Sequence, residues 1–232
     1  PSANTRWDNT IAILTGDYLF ARASELSADL GVEVTRIMAQ TIATLCEGQI
    51  REVQGSIGAL PPDVPLLEPT LDHYLTVVAE KTASLIATSA RLGALLAGCD
   101  DDVVKAATEY GWNMGMAFQL SDDLLDIGSE TEDSGKTPGT DLREGVRTLP
   151  VLYAIEDDPG GELETLLSVD EVSEEAVARA LELLRGSAAM ERARQTAADY
   201  VHTSVEALAP FEGQAITKAL RRLSEYALDR VG

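Results

Sequence analysis

The apolar residues of this chain recur at helical spacing over most of its length, and this periodicity limits the possible folds more than any other feature. Between about 7 and 30, apolar residues return every three or four positions, as Ile11, Leu14 and Tyr18 do. The same spacing recurs at about 32–54, 70–97, 99–128, 148–157, 160–168, 173–185, 187–208 and 213–231. No useful stretch alternates with a period of two, as a half-buried strand would. The sequence therefore predicts an all-α fold, a single-domain bundle of long antiparallel helices.

Two segments interrupt this periodicity. Residues 55–69, "GSIGALPPDVPLLEP", contain two glycines and four prolines, after which Thr70 or Asp72 could cap the next helix. Residues 128–147, "GSETEDSGKTPGTDLREGVR", contain four glycines and one proline without apolar periodicity. The first segment is predicted to break the helical pattern, and the second is predicted to be a loop.

The charge and composition exclude several classes of function. The chain has 18 basic and 39 acidic residues, a net charge of −21, which repels nucleic acid and anionic lipid. Its longest apolar stretches are interrupted by residues such as Arg91, so no integral membrane segment is predicted. The first residues do not have the pattern of a secretory signal. Cys46 and Cys99 form no metal-spaced cluster, so we expect two reduced thiols in a cytoplasmic protein.

Three carboxylates interrupt the apolar segment "QLSDDLLDIG", at Asp122, Asp123 and Asp126. On a helix, Asp122 and Asp126 share a face, while Asp123 lies on an adjoining edge. Such like charges repel, and their burial is costly unless a cation compensates them. Oxygen-only ligands favour Mg²⁺ or Mn²⁺, and Mg²⁺ also seeks phosphate oxygens. The pattern predicts one wall of a diphosphate site, and spacing alone is equally compatible with a solvated acidic helix face.

Two lysines favour the phosphate interpretation. Lys136 lies in the glycine-rich loop after the aspartates, between Gly135 and Gly139, which suits a flap that closes over phosphate. Lys81 lies within a predicted helix with Thr82 beside it. By itself Lys81 would be interpreted as a surface lysine, but together with the aspartates it becomes a second phosphate-binding candidate.

Other conspicuous polar residues have simpler interpretations. Asp100, Asp101 and Asp102 are typical of an N-cap and first helical turn, where the helix dipole favours acids. The histidines, His73 and His202, are far from the aspartates in sequence and are predicted to be surface or capping residues rather than catalysts.

Five segments occur in order along the chain: "LTGDYLFARA" (14–23), "EGQIRE" (47–52), "YLTVVAEKTASL" (74–85), "GMAFQLSDDLLDI" (115–127) and "GKTPGTDLREGVRTLP" (135–150). Together they resemble the trans-isoprenyl diphosphate synthases, also called polyprenyl synthetases. The resemblance implies a bundle of the isoprenoid synthase type, usually a homodimer, in which two aspartate-rich motifs hold Mg²⁺ around an allylic diphosphate. That substrate ionises to a carbocation, isopentenyl diphosphate attacks it, and proton loss gives a trans-polyprenyl diphosphate one isoprene unit longer.

The resemblance assigns roles to individual residues on the aspartate helix. Asp122, Asp123 and Asp126 match the family's second aspartate-rich motif, in which Asp122 would be the firmest Mg²⁺ ligand. Gln119 matches the glutamine one turn before that motif.

The resemblance also implies a group of diphosphate contacts. Lys81 and Lys136 match lysines that grip the allylic diphosphate, and Thr82 matches a threonine that helps to steady the developing cation. The family commonly has lysine where this chain has Val146. Arg147 is the neighbouring cation and a candidate for the missing contact, although on a regular backbone it would point elsewhere.

A further departure concerns the start of the chain. In the family, a first aspartate-rich motif and two arginines precede the segment that resembles "PSANTRW", and Asp17 cannot replace that motif because it belongs to the next helix. The sequence is thus expected to be the C-terminal part of a longer enzyme, or else a chain that is really this short. By itself this chain is expected to be catalytically inactive, because one aspartate-rich motif cannot complete a metal cluster that the family builds from two.

Two alternatives remain open from the sequence. A class I terpene cyclase has the same helical architecture, and "DDLLDIGSE" approaches its second metal motif, with Glu130 eight residues after Asp122. That motif requires Ser or Thr at the position of Asp126, and cyclases do not have the "GK…GTDLREG…TLP" segment. The second alternative is a non-catalytic or regulatory subunit of a heteromeric prenyl synthase, although such subunits often lose the second motif, which is intact here.

Overall fold

The structure, a computed structural model, describes residues 3–56, 67, 69–129, 138–169 and 171–230, and all regular elements in these residues are helical. The predicted all-α fold is therefore confirmed. The α-helices are α1 (Ala3–Arg6), α2 (Asn9–Asp29), α3 (Val32–Gly55), α4 (Leu71–Val78), α5 (Ser84–Leu96), α6 (Asp101–Gly128), α7 (Thr140–Arg143), α8 (Leu149–Asp157), α9 (Glu162–Leu167), α10 (Glu174–Arg185), α11 (Ala188–Glu206) and α12 (Ala215–Asp229). A π-helical turn occupies Ala79–Ala83, and a 3₁₀ turn occupies Ala209–Phe211.

The chain divides into two compact units, Pro1–Ala43 and Thr44–Gly232, with the boundary inside α3. In the first unit, Asp8 caps α2 by accepting a hydrogen bond of 2.9 Å from the N–H of Ile11. Gly31 then turns the chain toward α3 with a φ of 102°, a left-handed conformation that glycine adopts at low cost. The single-domain arrangement stays a prediction.

Helix α6 is the centre of the second unit, where it packs most extensively against α5 and α11. Gly111 and Gly115 make the close approach to α5 and the π turn possible. A Cβ atom on Gly115 would lie 2.6 Å from Cα of Ala83, and one on Gly111 would lie 2.8 Å from Cα of Ala87. The backbones are therefore closer than larger residues would permit. On its apolar face, α6 contributes Leu120, Leu124 and Ile127 to the core.

The long helix predicted at about 70–97 is interrupted by the π turn. Thr70 caps it by accepting a hydrogen bond of 3.1 Å from the N–H of His73, and Gly98, with a φ of 74°, follows its end. The π turn carries Lys81 and Thr82, and apolar periodicity gave no sign of it. Such turns are frequent at functional sites because they redirect side chains within a continuous helix.

The prediction of a loop throughout residues 128–147 is wrong for Thr140–Arg143, which form α7. The physical reason is that the carboxylate of Asp126 accepts hydrogen bonds of 3.1 Å from the N–H groups of Thr140 and Asp141. An anion at this position stabilises the first turn of a helix. The proposed phosphate-binding Lys136 lies outside the described residues.

Two expectations from composition can be compared with the structure. No helix in the described ranges has both the length and the hydropathy needed to cross a membrane. Cys46 and Cys99 are both free thiols, as predicted.

Candidate active site

The three aspartates of α6 differ in burial. Asp123 is buried, with 5% of its surface exposed, whereas Asp122 and Asp126 are partly buried. The C-terminal part of α6 is held by its buried apolar residues, such as Leu124 and Ile127, and by Arg185 at its end. The Arg185 guanidinium donates hydrogen bonds of 2.7 and 3.0 Å to the carbonyl oxygens of Ile127 and Ser129. The C-terminal end of α6 therefore has both an apolar anchor and a cationic cap.

Two neutral donors hold the carboxyl group of Asp123. The Tyr74 hydroxyl donates to Oδ2 at 2.5 Å, and Gln119 Nε2 donates to Oδ1 at 2.8 Å. The pKa of Asp123 is raised to about 7, chiefly by burial; the hydrogen bonds from Tyr74 and Gln119 oppose the shift, and the charges of Asp122 and Asp126 add to it. The carboxyl is thus poised to lose its proton when a cation arrives.

A hydrogen-bonded relay extends from Asp123 to the π turn. The Thr82 hydroxyl donates to Oε1 of Gln119 at 2.9 Å, while the amide nitrogen of Gln119 donates to Asp123. The two contacts determine the orientation of the amide, since its oxygen accepts from one side and its nitrogen donates to the other. Gln119 thereby links Thr82, on the π turn, to the buried carboxyl of Asp123.

Asp141 is a fourth carboxyl of this group, which the sequence reasoning did not single out. Burial raises its pKa to about 8, and the negative charges of Asp123, Asp126, Glu144 and Asp122 contribute in that order. A usable signal was present in the sequence, because Asp141 lies in "GTDLREG", one of the segments that carried the resemblance. Helix α7 brings it to the aspartates of α6.

Lys81 is bound to an acid rather than extended into solvent. Its Nζ donates to Oε2 of Glu52, on α3, at 2.5 Å. The adjacent residues form a parallel pair, in which Nε of Arg51 donates to Glu80 at 2.9 Å. A Cβ atom on Gly48 would lie 2.8 Å from the backbone nitrogen of Lys81, so α3 lies directly against the π turn.

A cavity of about 310 Å³ joins most of these groups. The predicted site residues on its wall are Lys81, Thr82, Gln119, Asp123 and Arg147. Further lining residues that bear on the site are Glu52, His73, Tyr74, Asp141 and Val146. Asp122 and Asp126 are not among its lining residues and lie beside it on α6. His73, predicted to be a surface or capping residue, is partly buried on the cavity wall, whereas His202 is exposed as predicted.

Arg147 lies on the cavity wall, contrary to the prediction that it would point elsewhere. The reason is that residues 145–148 do not continue the regular helix of α7. One guanidinium nitrogen, Nη2, donates to Oγ of Ser168 at 3.3 Å, while Nε is buried without a hydrogen-bond partner among the described residues. A buried cationic donor without a partner is costly, and an anionic ligand would satisfy it.

The chemistry of the carboxylates fits a hard divalent cation that binds together with phosphate. All the donors are oxygen atoms, which suit Mg²⁺. In the described ranges, no three side chains of the metal-binding types are arranged to hold one ion by themselves. Mg²⁺ is usually bound by one or two carboxylates, waters and substrate phosphates rather than by a complete protein cage. The donors thus fit a shared metal–diphosphate site.

Comparison with known proteins agrees with this geometry. Residues 1–184 match the polyprenyl synthetase family. The chain is 43% identical to the nonaprenyl diphosphate synthase of Mycobacterium tuberculosis, over 100% of this chain and 68% of that protein. It is 37% identical to a dimethylallyltranstransferase of the same organism, over 98% of this chain and 67% of that protein.

Solved structures show the same relationship. The geranylgeranyl pyrophosphate synthase of Corynebacterium glutamicum, complexed with calcium and isoprenyl diphosphate, superposes with a TM-score of 0.81 at 41% identity, over 100% of this chain and 70% of that one. The polyprenyl synthase of Caulobacter crescentus, with the same ligands, gives a TM-score of 0.87 at 35% identity, over 99% and 69%.

The chain belongs to the polyprenyl synthetase family. Its predicted class, a prenyltransferase of the trans-polyprenyl diphosphate synthase type, is thereby confirmed. The terpene cyclase and the non-catalytic subunit are not favoured, because the relatives are named as synthases and transferases.

Proposed function

We propose that the cavity binds the diphosphate of an allylic prenyl substrate together with Mg²⁺, and that isopentenyl diphosphate extends this substrate head to tail. The observation that carries the proposal is the composition of one cavity wall. Lys81, Thr82, Gln119, Asp123 and Arg147 all line the same space of about 310 Å³. The wall thus combines two cations that can bind phosphate, Lys81 and Arg147, with a carboxyl that can bind metal, Asp123. The neutral polar pair Thr82 and Gln119 lies beside them, where the reacting carbon would be.

Binding of the diphosphate requires Lys81 to exchange its partner. Lys81 is paired with Glu52, and a phosphate oxygen would compete for the same ammonium group. Arg147 needs no such exchange for its Nε, which has no partner among the described residues. Lys136 is a further proposed contact from the sequence and lies outside the described residues.

Loss of diphosphate from the allylic carbon leaves positive charge on carbon and negative charge on oxygen. Lys81 and Arg147 would stabilise the departing oxygens. The Thr82 hydroxyl directs its proton to Gln119, so its oxygen lone pairs remain available for the positive carbon. Tyr74, Val77 and Val78 on the cavity wall exclude water, which would otherwise capture the cation.

The metal would be held by Asp122, Asp123 and Asp126, with Asp141 close to them. When bound, Mg²⁺ supplies Lewis-acid stabilisation of the leaving diphosphate, and Mn²⁺ can take its place at oxygen ligands. Support comes from the raised pKa values of Asp123, about 7, and Asp141, about 8, since desolvation and neighbouring carboxylates disfavour the ionised form of both groups. Metal binding would favour their ionised forms.

The predicted assembly is a homodimer. Large apolar side chains remain exposed on the two central helices, including Leu85 and Leu96 on α5 and Trp112 and Phe118 on α6. A second copy of the chain would cover such side chains. One relative, from Geobacillus stearothermophilus, is named component 2 of a heptaprenyl diphosphate synthase, so light scattering should also examine a hetero-oligomer. The two free thiols and the acidic charge support the predicted cytoplasmic location without nucleic-acid binding.

The test combines binding with turnover. Electron paramagnetic resonance of Mn²⁺, with and without inorganic pyrophosphate, measures the metal site directly, and transfer of labelled isopentenyl diphosphate measures the reaction. Asp122→Asn should reduce Mn²⁺ affinity by about tenfold or more, because it removes one charged oxygen ligand. Asp102→Asn, an exposed aspartate at the other end of α6, is the matched control.

The outcomes separate the components of the proposal. Pyrophosphate-dependent Mn²⁺ binding that requires Asp122 supports the site whether or not the 232-residue chain turns over. Equal affinities for Asp122→Asn and Asp102→Asn would contradict the proposed metal ligand.

A further inference from the structure

The last described residue of the chain, Arg230, contacts the proposed metal-binding face of α6. Nη2 of Arg230 donates to Oδ1 of Asp122 at 3.3 Å. Its guanidinium also lies over the ring of Phe118, 5.4 Å from the centroid. Phe118 and Asp122 are four residues apart and share a helix face, so Arg230 contacts two successive turns of α6.

We propose that Arg230 is a positioning residue for the metal site: its guanidinium is a counter-cation of Asp122 that a divalent metal ion displaces when it binds this carboxylate. This inference rests on the proposed function, in which Asp122 is a metal ligand. Arginine keeps its positive charge at any physiological pH, so it cannot relieve the competition by losing a proton. Metal and guanidinium would compete for the same carboxylate oxygens.

The location explains why the metal-free protein benefits from a cation there. Asp126 lies in the last turn of α6, where the helix dipole disfavours negative charge, and Asp122 lies one turn before it on the same face. The charges of Asp122 and Asp126 raise the pKa of both Asp123 and Asp141, so the carboxyl groups here repel one another. A guanidinium at Asp122 lowers this repulsion until the metal binds.

The geometry of the Arg230–Asp122 contact indicates that a metal ion can displace it. The contact is 3.3 Å long and uses one nitrogen and one oxygen, whereas strong arginine–carboxylate pairs are shorter and bidentate. Both partners remain partly exposed, at 26% for the Arg230 side chain and 34% for that of Asp122. Phe118 makes a second contact with the guanidinium, a cation–π interaction that does not depend on Asp122.

A consequence for the C-terminal helix follows. When a metal ion takes Asp122, Arg230 loses its ionic contact with α6, and the end of α12 (Ala215–Asp229) becomes less restrained. Metal loading is thus coupled to the mobility of the C-terminal residues, and amide hydrogen exchange of that segment reports it.

The primary experiment measures Mn²⁺ affinity at low ionic strength by electron paramagnetic resonance. Arg230→Gln should bind Mn²⁺ about fivefold more tightly than the wild type, since one repelling charge is removed a few ångströms from the ion. Arg222→Gln removes the same charge from an exposed arginine that lies eight residues before Arg230, on α12, and should change affinity by less than about twofold. Arg230→Lys, which keeps the charge, should remain close to the wild type.

Unchanged or weaker Mn²⁺ binding by Arg230→Gln would overturn the inference, and weaker binding would mean that Arg230 instead holds Asp122 in the orientation that binds the ion. Circular dichroism verifies that the variants fold. In the wild type, Mn²⁺ should speed amide exchange at the end of α12, and unchanged or slower exchange would oppose displacement. The proposed function is tested separately by Asp122→Asn. If that variant loses Mn²⁺ while Arg230→Gln has no effect, only the inference fails. If the wild type binds no Mn²⁺, both fail.

Discussion

The Tyr74 hydroxyl lies 2.5 Å from Oδ2 of Asp123 and donates to it, which joins α4 to the buried carboxyl of α6. Burial raises the pKa of Tyr74 well above its usual value, so the hydroxyl keeps its proton and remains a donor. Gln119 donates to the other oxygen of Asp123. Both oxygens are therefore held by neutral donors before any ligand binds, a preorganisation that costs nothing at the moment of binding.

Removal of this donor should weaken both the fold and the metal site. Tyr74→Phe is expected to lower the free energy of unfolding by about 1–3 kcal/mol, because the buried carboxyl loses a hydrogen bond. The pKa of Asp123 should rise further, so Mn²⁺ affinity at neutral pH should fall. Urea denaturation and Mn²⁺ titration measure the two effects. Tyr153→Phe is the control, since that hydroxyl bonds to Thr196 in the same unit; an equal loss of Mn²⁺ affinity there would contradict the assignment.

The metal-free protein should lose stability as the pH rises. Asp123 and Asp141 have folded-state pKa values raised to about 7 and about 8, above the ordinary value of 3.8. Groups with raised pKa values bind protons preferentially in the folded state, so their contribution is fully present below about pH 3.8 and is lost as the pH rises through about 7 to 8. Thermal unfolding between about pH 5 and 8 should show a falling midpoint.

Two comparisons assign this pH dependence to the site. Asp141→Asn should flatten the decline, because the amide does not ionise. Saturating Mg²⁺ should also reduce it, since the metal favours the ionised carboxyls. A decline of the same slope in wild type and Asp141→Asn would show that another group is responsible.

The helices of this protein were predictable because their apolar residues repeat at helical spacing. That signal located α6 and placed Asp122 and Asp126 on one face. It could not reveal the π turn at Ala79–Ala83. Gly48, on α3, packs closely against Lys81 in this turn, and such a tertiary contact leaves no mark on the local apolar spacing.

The parts of the site that sequence reasoning missed depend on contacts between distant segments. Asp141 reaches the aspartates because Asp126 caps α7, and Arg147 faces the cavity because the backbone leaves the helix at residues 145–148. Arg230 is 108 residues from Asp122 along the chain, so local pattern gives no indication of their pairing.

Gly115 should be intolerant of a side chain. Gly115→Ala would place a Cβ atom 2.6 Å from Cα of Ala83, so α6 and the π turn would have to separate. We expect a loss of about 1–3 kcal/mol in unfolding free energy, which for a chain of this size lowers the melting temperature by about 2–4 °C per kcal/mol.

The matched control for this substitution lies on the neighbouring helix. Gly93 is a helical glycine with no atom within 4 Å of its added Cβ, so Gly93→Ala should stabilise the protein by about 0.5–1 kcal/mol. Opposite signs for the two substitutions are the expected result. Similar effects would mean that helix propensity, rather than the close approach to Ala83, governs Gly115.

Arg147 should provide the diphosphate contact that Val146 cannot. Both residues line the cavity, but only Arg147 has a donor there, and its buried Nε has no partner among the described residues. Arg147→Gln is expected to weaken binding of inorganic pyrophosphate with Mg²⁺ by about tenfold, the effect of losing a charge-assisted hydrogen bond. Isothermal titration calorimetry measures this loss, with the exposed Lys105→Gln as the charge-matched control.

Val146→Lys in the Arg147→Gln background should restore most of the affinity, because the added ammonium group lines the same cavity. If Arg147→Gln binds pyrophosphate as tightly as Lys105→Gln, Arg147 is not a diphosphate contact, and its guanidinium serves only to join the cavity wall to Ser168.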